Sequence, residues 1–137
     1  MKIIDRNTLI ENVIDHSYEN THLYGQGNLD YVEKVNFFYF SKDKKVCIGY
    51  WEAPEGRFDF LLNDFDEVDY IIEGDLDIIS NGKTFKVQKG DCISLKSGDK
   101  VKFDIKKLAK VIFFIYPVTK ELTELFDSFL RGKSNSI

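Results

Sequence analysis

Between residues 46 and 118, short apolar and aromatic runs alternate with turn-forming residues. The runs are rich in Val, Ile, Phe and Tyr, which is typical of β-strands. Asn81-Gly82 suits a two-residue type I′ hairpin because both central residues must adopt positive φ. Further breaks are expected at Gly90-Asp91 and at residues 97–99. No interval is long enough for a crossover helix, so a parallel sheet is excluded and an all-β sandwich or barrel is predicted.

The N-terminal segment has a helical pattern followed by an extended one. Thr8 and Glu11 have the spacing of a capping box, and apolar residues recur at helical spacing at Leu9, Ile10, Val13 and Ile14. Residues 30–40 favour extended structure. We therefore predict an N-terminal arm over residues 1–45, made of a helix and a strand.

The C-terminal segment predicts a second helix. Thr119 suits a helix cap and Gly132 suits a stop. Between them runs an apolar stripe of Leu122, Leu125, Phe126, Phe129 and Leu130. The whole chain is predicted to form one domain over residues 1–137, with the barrel at 46–118 and this helix at 119–132.

Composition narrows the classes of function. The chain has 137 residues, a net charge of −4, and no stripe of Lys and Arg that would neutralise phosphates, so we expect no nucleic-acid partner. No apolar run approaches transmembrane length, so no membrane partner is expected. The N-terminus lacks the apolar stretch of a signal peptide, which predicts a cytoplasmic protein. Cys47 and Cys92 lie in apolar runs without metal-ligand spacing and are interpreted as buried free thiols.

Two glycine-framed segments resemble the paired motifs of the cupin superfamily. Glu67 lies seven residues before Gly74, as the glutamate of the first motif does, and Gly90 and Gly98 match the frame of the second. The resemblance implies an RmlC-like jelly-roll barrel. Metal-binding cupins carry two histidines before the glutamate and a third in the second motif. In this chain the two histidines of the first motif are replaced by Leu61 and Asn63, or by Phe60 and Leu62 with the alternative spacing. The third histidine is replaced by Val101, and Lys96 stands where the second motif has a proline.

The missing histidines argue against metal chemistry in the barrel. His16 and His22 are the only histidines, both in the N-terminal segment, and either could fold back toward the barrel mouth or serve a surface or core role. We therefore predict no metal ligands and no cofactor, since imidazole ligation of a transition metal is lost. Mg²⁺ is expected only if the reaction is phosphoryl transfer.

Alternation along the strand places the remaining acidic groups. If Glu67 points inward, period 2 places Asp69 and Ile71 inward as well, and Asp59 is a third candidate from the preceding strand. Two carboxylates on one inner face would repel each other, and burial would raise at least one pKa. Such a pair can act as a general acid and base or bind an ammonium group. The alternative is that these acids are solvated at a barrel rim. Glu67 and Asp69 are our candidate catalytic residues.

Aromatic residues supply the candidate ligand-binding wall, with Asp59. Trp51, Phe60, Tyr70 and Phe103 alternate along strands that should line or cover the barrel. The alternative is that they are core, because aromatics supply much of the packing of small domains. Trp51 beside Glu52 is the pair expected at a pocket mouth.

A narrower resemblance is to the ethanolamine-utilisation Q-type cupins. It rests on Trp51-Glu52, Phe58, Leu62-Asn63, residues 66–69, residues 73–76 and Gly90-Asp91. It implies a homodimer tied to ethanolamine metabolism, sometimes with ATP-dependent acetate phosphorylation, and an inner acid pair matched by Glu67 and Asp69. The chain departs from the family at Lys96, in the spacing between Trp51 and Glu67, and in lacking a long N-terminal extension.

Three functions follow as hypotheses. The first is an enzyme or accessory factor for a small polar metabolite, with Glu67 and Asp69 in the reaction. The second is a barrel that binds or senses a small ligand without catalysis. The third is an assembly role, with residues 30–40 and the C-terminal helix at a subunit interface. Whether the protein is an enzyme stays open at this point.

Overall fold

A computed structural model describes residues 1–11, 14–17 and 32–124. Helix α1 covers Arg6–Glu11. The strands are β1 Ile14–Ser17, β2 Val32–Phe40, β3 Cys47–Ala53, β4 Gly56–Leu61, β5 Asp66–Ser80, β6 Lys83–Gln88, β7 Cys92–Leu95 and β8 Lys100–Tyr116. Every pairing among them is antiparallel. The predicted all-β fold is confirmed.

The two longest strands organise the barrel. β5 and β8 pair with each other along most of their length, with register shifts between Ile71 and Leu76. The C-terminal half of β8 pairs with β3, and its N-terminal half pairs with β4. The N-terminal half of β5 pairs with β7, and its C-terminal half pairs with β6. The sheet therefore has two parts, and the side chains between them form one buried cluster.

Gly74 lies among the register shifts of the β5–β8 pairing, between the two parts of the sheet. Its φ is +126°, and an added Cβ would lie 2.6 Å from the Cα of Ala109 on β8. Only glycine accepts this backbone conformation and this close approach. The glycine seven residues after Glu67 is therefore required where β5 passes from one part of the sheet to the other.

The Asn81-Gly82 turn is confirmed as the hairpin between β5 and β6. Both residues have positive φ, 51° and 75°, and Ser80 pairs with Lys83 across the turn. The hairpin sets the register in which Leu76 and Ile78 of β5 are buried.

The ends of the chain differ in part from the prediction. The amide of Leu9 donates to the carbonyl of Asp5 (3.2 Å), so the helix begins before Thr8, which is not its cap. Ile14 belongs to β1 and pairs with Val35, because strand pairing overrides the local helical periodicity. The arm thus contributes β1 and β2 to the sheet itself.

At the C-terminal end, residues 120–124 are helical. The amide of Leu122 donates to Oγ1 of Thr119 (3.2 Å), which confirms the predicted cap. Leu122 is fully buried in the core. Leu125, Phe126, Phe129, Leu130 and Gly132 lie outside the described residues. No helix in the described ranges has the length and apolar character needed to span a membrane.

Candidate functional site

Glu67 and Asp69 lie side by side on the inner face of β5. Glu67 is opposite Leu95 and Ile115, while Asp69 is opposite Ile93 and Phe113. Their exposed fractions are 6% and 1%, and their carboxyl groups are hydrogen-bonded to each other. The predicted inward orientation is confirmed, and the alternative of solvated rim acids is wrong for these two. Asp66 is exposed, where it accepts a hydrogen bond from the amide of Ser97 (2.9 Å).

Burial and mutual repulsion favour the protonated form of this pair of carboxyl groups. Burial raises the pKa of Glu67 well above its ordinary value, and the negative charges of Asp69 and Glu33 raise it further. Burial raises the pKa of Asp69 to about 6, although the hydrogen bond from Glu67 acts in the opposite direction. Because the two groups interact, the pair keeps a proton to higher pH than free carboxyl groups do.

Glu33 is a third buried carboxyl, which the sequence analysis missed. It is fully buried on β2, and its charge acts on Glu67. Glu33, Val35 and Phe37 recur with period 2, so the alternation that located Asp69 could also have found it. Three acidic side chains thus interact electrostatically inside one small barrel.

Cys47 of β3 lies across the sheet from Glu67, with Ile115 of β8 between them. Burial and the charge of Glu67 raise the pKa of the Cys47 thiol to about 12. Its interpretation as a buried thiol is confirmed, and its protonated sulfur is not a nucleophile at neutral pH. The same interpretation of Cys92 is wrong, because Cys92 is exposed on the short strand β7.

An oxygen of Asp69 and the indole nitrogen of Trp51 are buried in the interior with no hydrogen-bond partner within the described ranges. They are Oδ1 of Asp69 and Nε1 of Trp51. Asp69 pairs with Phe113 on β8, which in turn pairs with Gly49 on β3. Trp51 lies two residues further along β3 and pairs with Val111, which also pairs with Ile71 on β5. Buried polar groups are rarely left without partners. One acceptor and one donor are therefore offered to a small molecule or water on the same inner face.

Three of the predicted wall residues form an aromatic cluster in the core. Phe103 contacts Trp51 edge-on (centroids 5.9 Å apart) and Phe60 edge-on (5.4 Å). Phe58 stacks on Phe103 at 4.9 Å with an interplanar angle of 6°. The cluster joins both parts of the sheet, so Trp51, Phe60 and Phe103 are packing residues as well as candidates for the wall. Trp51 is the member that lies next to the row of Asp69.

Two predicted site residues point away from the interior. Asp59 lies between the buried Phe58 and Phe60, and its side chain is 49% exposed, with Oδ1 4.0 Å from Nζ of Lys102. Tyr70 lies between Asp69 and Ile71 and is 43% exposed. The expectation that Asp59 and Tyr70 line the barrel is wrong, because neighbours on a strand face opposite sides.

Glu52 does not join Trp51 at a pocket mouth. Adjacent residues on β3 face opposite sides of the sheet, and Oε1 of Glu52 accepts a hydrogen bond from the hydroxyl of Tyr50 at 2.7 Å. Trp51 and Glu52 therefore serve different faces of the sheet.

The positions of the missing histidines are filled by apolar packing. Phe60, Leu62 and Val101 are buried, whereas Leu61 and Asn63 are half-buried. Across the described ranges, no three His, Cys, Asp or Glu side chains are grouped to hold a metal ion. The backbone of His16 pairs with Glu33 on β2, and His22 lies outside the described residues. The absence of a metal stays a prediction.

Comparisons with known proteins identify the family of this chain. Residues 6–121 match the family described as ethanolamine utilisation protein EutQ. The chain is 34% identical over 88 residues to "Acetate kinase EutQ" of Clostridioides difficile, covering 64% of this chain and 55% of that protein. The chain therefore spans about half the length of this curated relative.

Solved structures place the barrel in the same fold. The EutQ protein of Clostridium difficile matches with a TM-score of 0.57 and 32% identity, covering 66% of this chain and 71% of that chain. An ethanolamine utilization protein Q from Salmonella typhimurium LT2 matches at 0.57 and 20%, covering 64% and 71%. An RmlC-like cupin from Shewanella frigidimarina matches at 0.55 and 13%, covering 65% and 79%. The last two show the fold alone. The predicted cupin fold and family are confirmed, and the chain belongs to the EutQ family of ethanolamine utilisation proteins.

Proposed function

We propose that this EutQ-type cupin binds a small polar metabolite of ethanolamine utilisation inside its barrel, with the Glu67–Asp69 pair as the recognition site. The observation that carries the proposal is the buried pair itself, two carboxyl groups that are 6% and 1% exposed and hydrogen-bonded to each other. Oδ1 of Asp69 has no hydrogen-bond partner among the described residues. A ligand that supplies one is strongly favoured there, because leaving a buried polar atom unpaired costs on the order of 1–3 kcal/mol.

The chemistry of the pair favours a protonated amine. A carboxylate in a desolvated interior is stabilised by a cation, and an ammonium group also brings N–H donors for Oδ1 of Asp69. Nε1–H of Trp51 is a donor on the same inner face, and it can pair with a hydroxyl oxygen. The class of ligand that offers both groups is a small amino alcohol.

Acetate phosphorylation is a second candidate, favoured by the name of the curated relative. In such a reaction an acetate oxygen forms a bond to the γ-phosphorus of ATP, and ADP leaves. Mg²⁺ in phosphoryl-transfer sites is held by one or two carboxylates together with the phosphates of the substrate, so Glu67 and Asp69 are the residues that would hold it. The ion would have to displace the proton that these two carboxyl groups share.

A thermal-shift screen distinguishes these functions from each other and from a purely structural barrel. Ethanolamine, acetate, ATP and MgCl₂ would be added separately and together at pH 7.5, because a ligand that binds the folded state raises the melting temperature. The amine proposal expects a shift with ethanolamine that Asp69→Asn abolishes. Asp59→Asn is the matched control, since Asp59 faces outward. Ethanolamine that shifts neither protein, or shifts Asp69→Asn equally, would reject the proposal.

The kinase candidate is tested in the same proteins. ADP release would be measured with ATP, acetate and MgCl₂, and the candidate expects activity that is lost in Glu67→Gln and kept in Asp59→Asn. An amine shift without ADP release identifies the non-catalytic binding function. If no addition shifts the melting temperature and no ADP is released, the assembly function is favoured.

The predicted homodimer is also a proposal, for which the outer face of the sheet supplies a candidate surface. Val68, Tyr70, Phe114 and Tyr116 are all at least partly exposed, and Val68 is directly opposite Phe114 on the paired strands. Contiguous exposed apolar residues of this kind mark interfaces. Analytical ultracentrifugation should give a dimer that Val68→Lys dissociates, and an unchanged mass for this variant would exclude the surface.

A further inference from the structure

A concavity lies on the outer face of the sheet, beneath helix α1. It has a volume of about 640 Å³. Nδ2 of Asn36 on β2 donates to the carbonyl of Leu9 at 3.4 Å, which ties the helix to the sheet. The apolar lining of the concavity comes from Leu9, Tyr50 and Ile72. We call this feature the outer groove. It lies on the opposite side of the sheet from Asp69, because Tyr50 and Ile72 alternate with the inward-facing Trp51 and Ile71.

The charged lining of the outer groove is mainly cationic. Arg6, Lys89 and Lys110 line it together with one acid, Glu73. Lys110 is paired with Glu73 at 3.5 Å. Arg6 and Lys89 have no ion pair with any residue of the described ranges. Since the chain as a whole has a net charge of −4, this meeting of three cations does not follow from composition.

The three cations come from separate parts of the fold. Arg6 is on α1, Lys110 is on β8, and Lys89 is in the turn between β6 and β7. That turn is fixed by backbone hydrogen bonds, because the amide of Gly90 donates to the carbonyl of Ile71 (2.8 Å) and the amide of Asp91 donates to that of Gln88 (3.0 Å). The backbone of Lys89 is thus held in place at the rim of the groove.

Tyr50 forms part of the floor and does not contribute a charge. Burial raises the pKa of its hydroxyl well above the ordinary value, and the hydrogen bond to Glu52 has the same effect. The hydroxyl stays protonated and donates to Oε1 of Glu52. Tyr50 is only 2% exposed, and its ring forms the buried base of the groove beneath the cations. A volume of this size is typical of sites for small organic molecules.

From this lining we propose that the outer groove binds an organic anion, with an apolar or aromatic body on Leu9 and Ile72 and a phosphate or carboxylate held by Arg6 and Lys89. Guanidinium and ammonium donors make charge-assisted hydrogen bonds with either anion. The site is separate from the Glu67–Asp69 pair, which is anionic and would repel the same ligand. The inference therefore goes beyond the proposed function and can fail or succeed without it.

Isothermal titration calorimetry with 1-naphthyl phosphate tests the outer groove. Arg6→Ala and Lys89→Ala should each weaken binding about threefold to tenfold, since each removes one charge-assisted contact in a partly exposed site. Lys83→Ala is the matched control, because Lys83 is an exposed lysine at the far end of β6. Asp69→Asn should also leave the affinity unchanged, which separates this site from the barrel interior.

Two further probes define the ligand class. 1-Naphthoate in place of 1-naphthyl phosphate shows which anionic group is preferred, and binding of either one with loss in the Arg6 and Lys89 variants supports the site. Affinity should also fall as NaCl is raised, because salt screens exposed charges. If 1-naphthol binds as tightly as both anions, if neither anion binds at millimolar concentration, or if the Arg6 and Lys89 variants bind normally, the inference is overturned.

Discussion

Replacing the buried acid pair by its neutral amides is expected to change how stability depends on pH. In the wild type, Glu67 and Asp69 bind protons more tightly in the folded state than in the unfolded state, because burial penalises their charged forms. A group with this shift stabilises the fold less as pH rises. The double variant Glu67→Gln/Asp69→Asn cannot ionise and should lose this dependence.

The magnitude can be worked out for Asp69. Its pKa rises from an ordinary 3.8 to about 6 on folding, and each unit of difference corresponds to about 1.4 kcal/mol. Below pH 3.8 the carboxyl group is protonated in both states and makes no difference. From below pH 3.8 to well above pH 6 the free energy of unfolding should fall by about 3 kcal/mol in total from this group alone, of which about 2 kcal/mol falls between about pH 4 and pH 6. Glu67, which is raised well above its ordinary value, extends the decline to higher pH.

Other shifted carboxyl groups act in a different range of pH. The hydrogen bond from Lys106 lowers the pKa of Asp104, and Arg57 adds to the effect. The stabilisation that Asp104 provides is present above its unfolded pKa and is lost as pH falls through its lowered folded value. Asp43 behaves in the same way, since the hydroxyl of Ser41 lowers its pKa. Neither group therefore contributes to a decline between pH 4 and pH 6.

Urea unfolding at half-unit steps from pH 4.5 to pH 8 measures the effect. The wild type should lose stability as pH rises. The double variant should lose less over the same range and be more stable than the wild type at pH 8, although Glu33 stays ionisable in both proteins. Asp75→Asn, an exposed acid on the same strand, is the matched control and should follow the wild type. Parallel pH profiles for the wild type and the double variant would refute the reasoning.

Two further predictions concern the frame of the site. Gly74→Ala should destabilise the protein by at least about 3 kcal/mol, because it combines a strained φ with a clash against Ala109. Gly82→Ala, which also has positive φ but has no atom within 4 Å of an added Cβ, should cost about 1 kcal/mol; similar losses of urea midpoint for both would contradict the packing argument. In a pH 8 alkylation followed by mass spectrometry, Cys92 should react with iodoacetamide while buried Cys47 stays unmodified. Comparable rates for the two thiols would show that Cys47 is accessible.

The sequence was sufficient for the barrel because its physical constraints are local. Turn residues such as Asn81-Gly82 need positive φ, and apolar runs of period 2 need a buried face, so both leave marks within a few residues. The inward orientation of Glu67 and Asp69 follows from the same periodicity. Gly74 was located by its motif, but its contact with Ala109, 35 positions later in the chain, could be seen only in the fold.

The errors at the site have equally definite causes. Asp59 and Tyr70 were proposed for the wall together with Phe60 and Asp69, although adjacent residues on a strand cannot share a face. Glu33 was missed because the β2 strand was treated as part of an arm, whereas it is paired with β3 in the sheet. The outer groove brings together Arg6, Lys89 and Lys110, which are too far apart in sequence for any motif to connect.

The most direct test of the central claim is a carboxyl-detected ¹³C NMR titration of Asp69, with and without ethanolamine. The account predicts that Cγ of Asp69 titrates near pH 6 in the free protein and at a lower pH when ethanolamine is saturating, because a bound cation favours the ionised carboxylate. An Asp69 that titrates near its ordinary 3.8 in the free protein, or whose titration is unchanged by saturating ethanolamine, would contradict the claim that this buried pair is the recognition site.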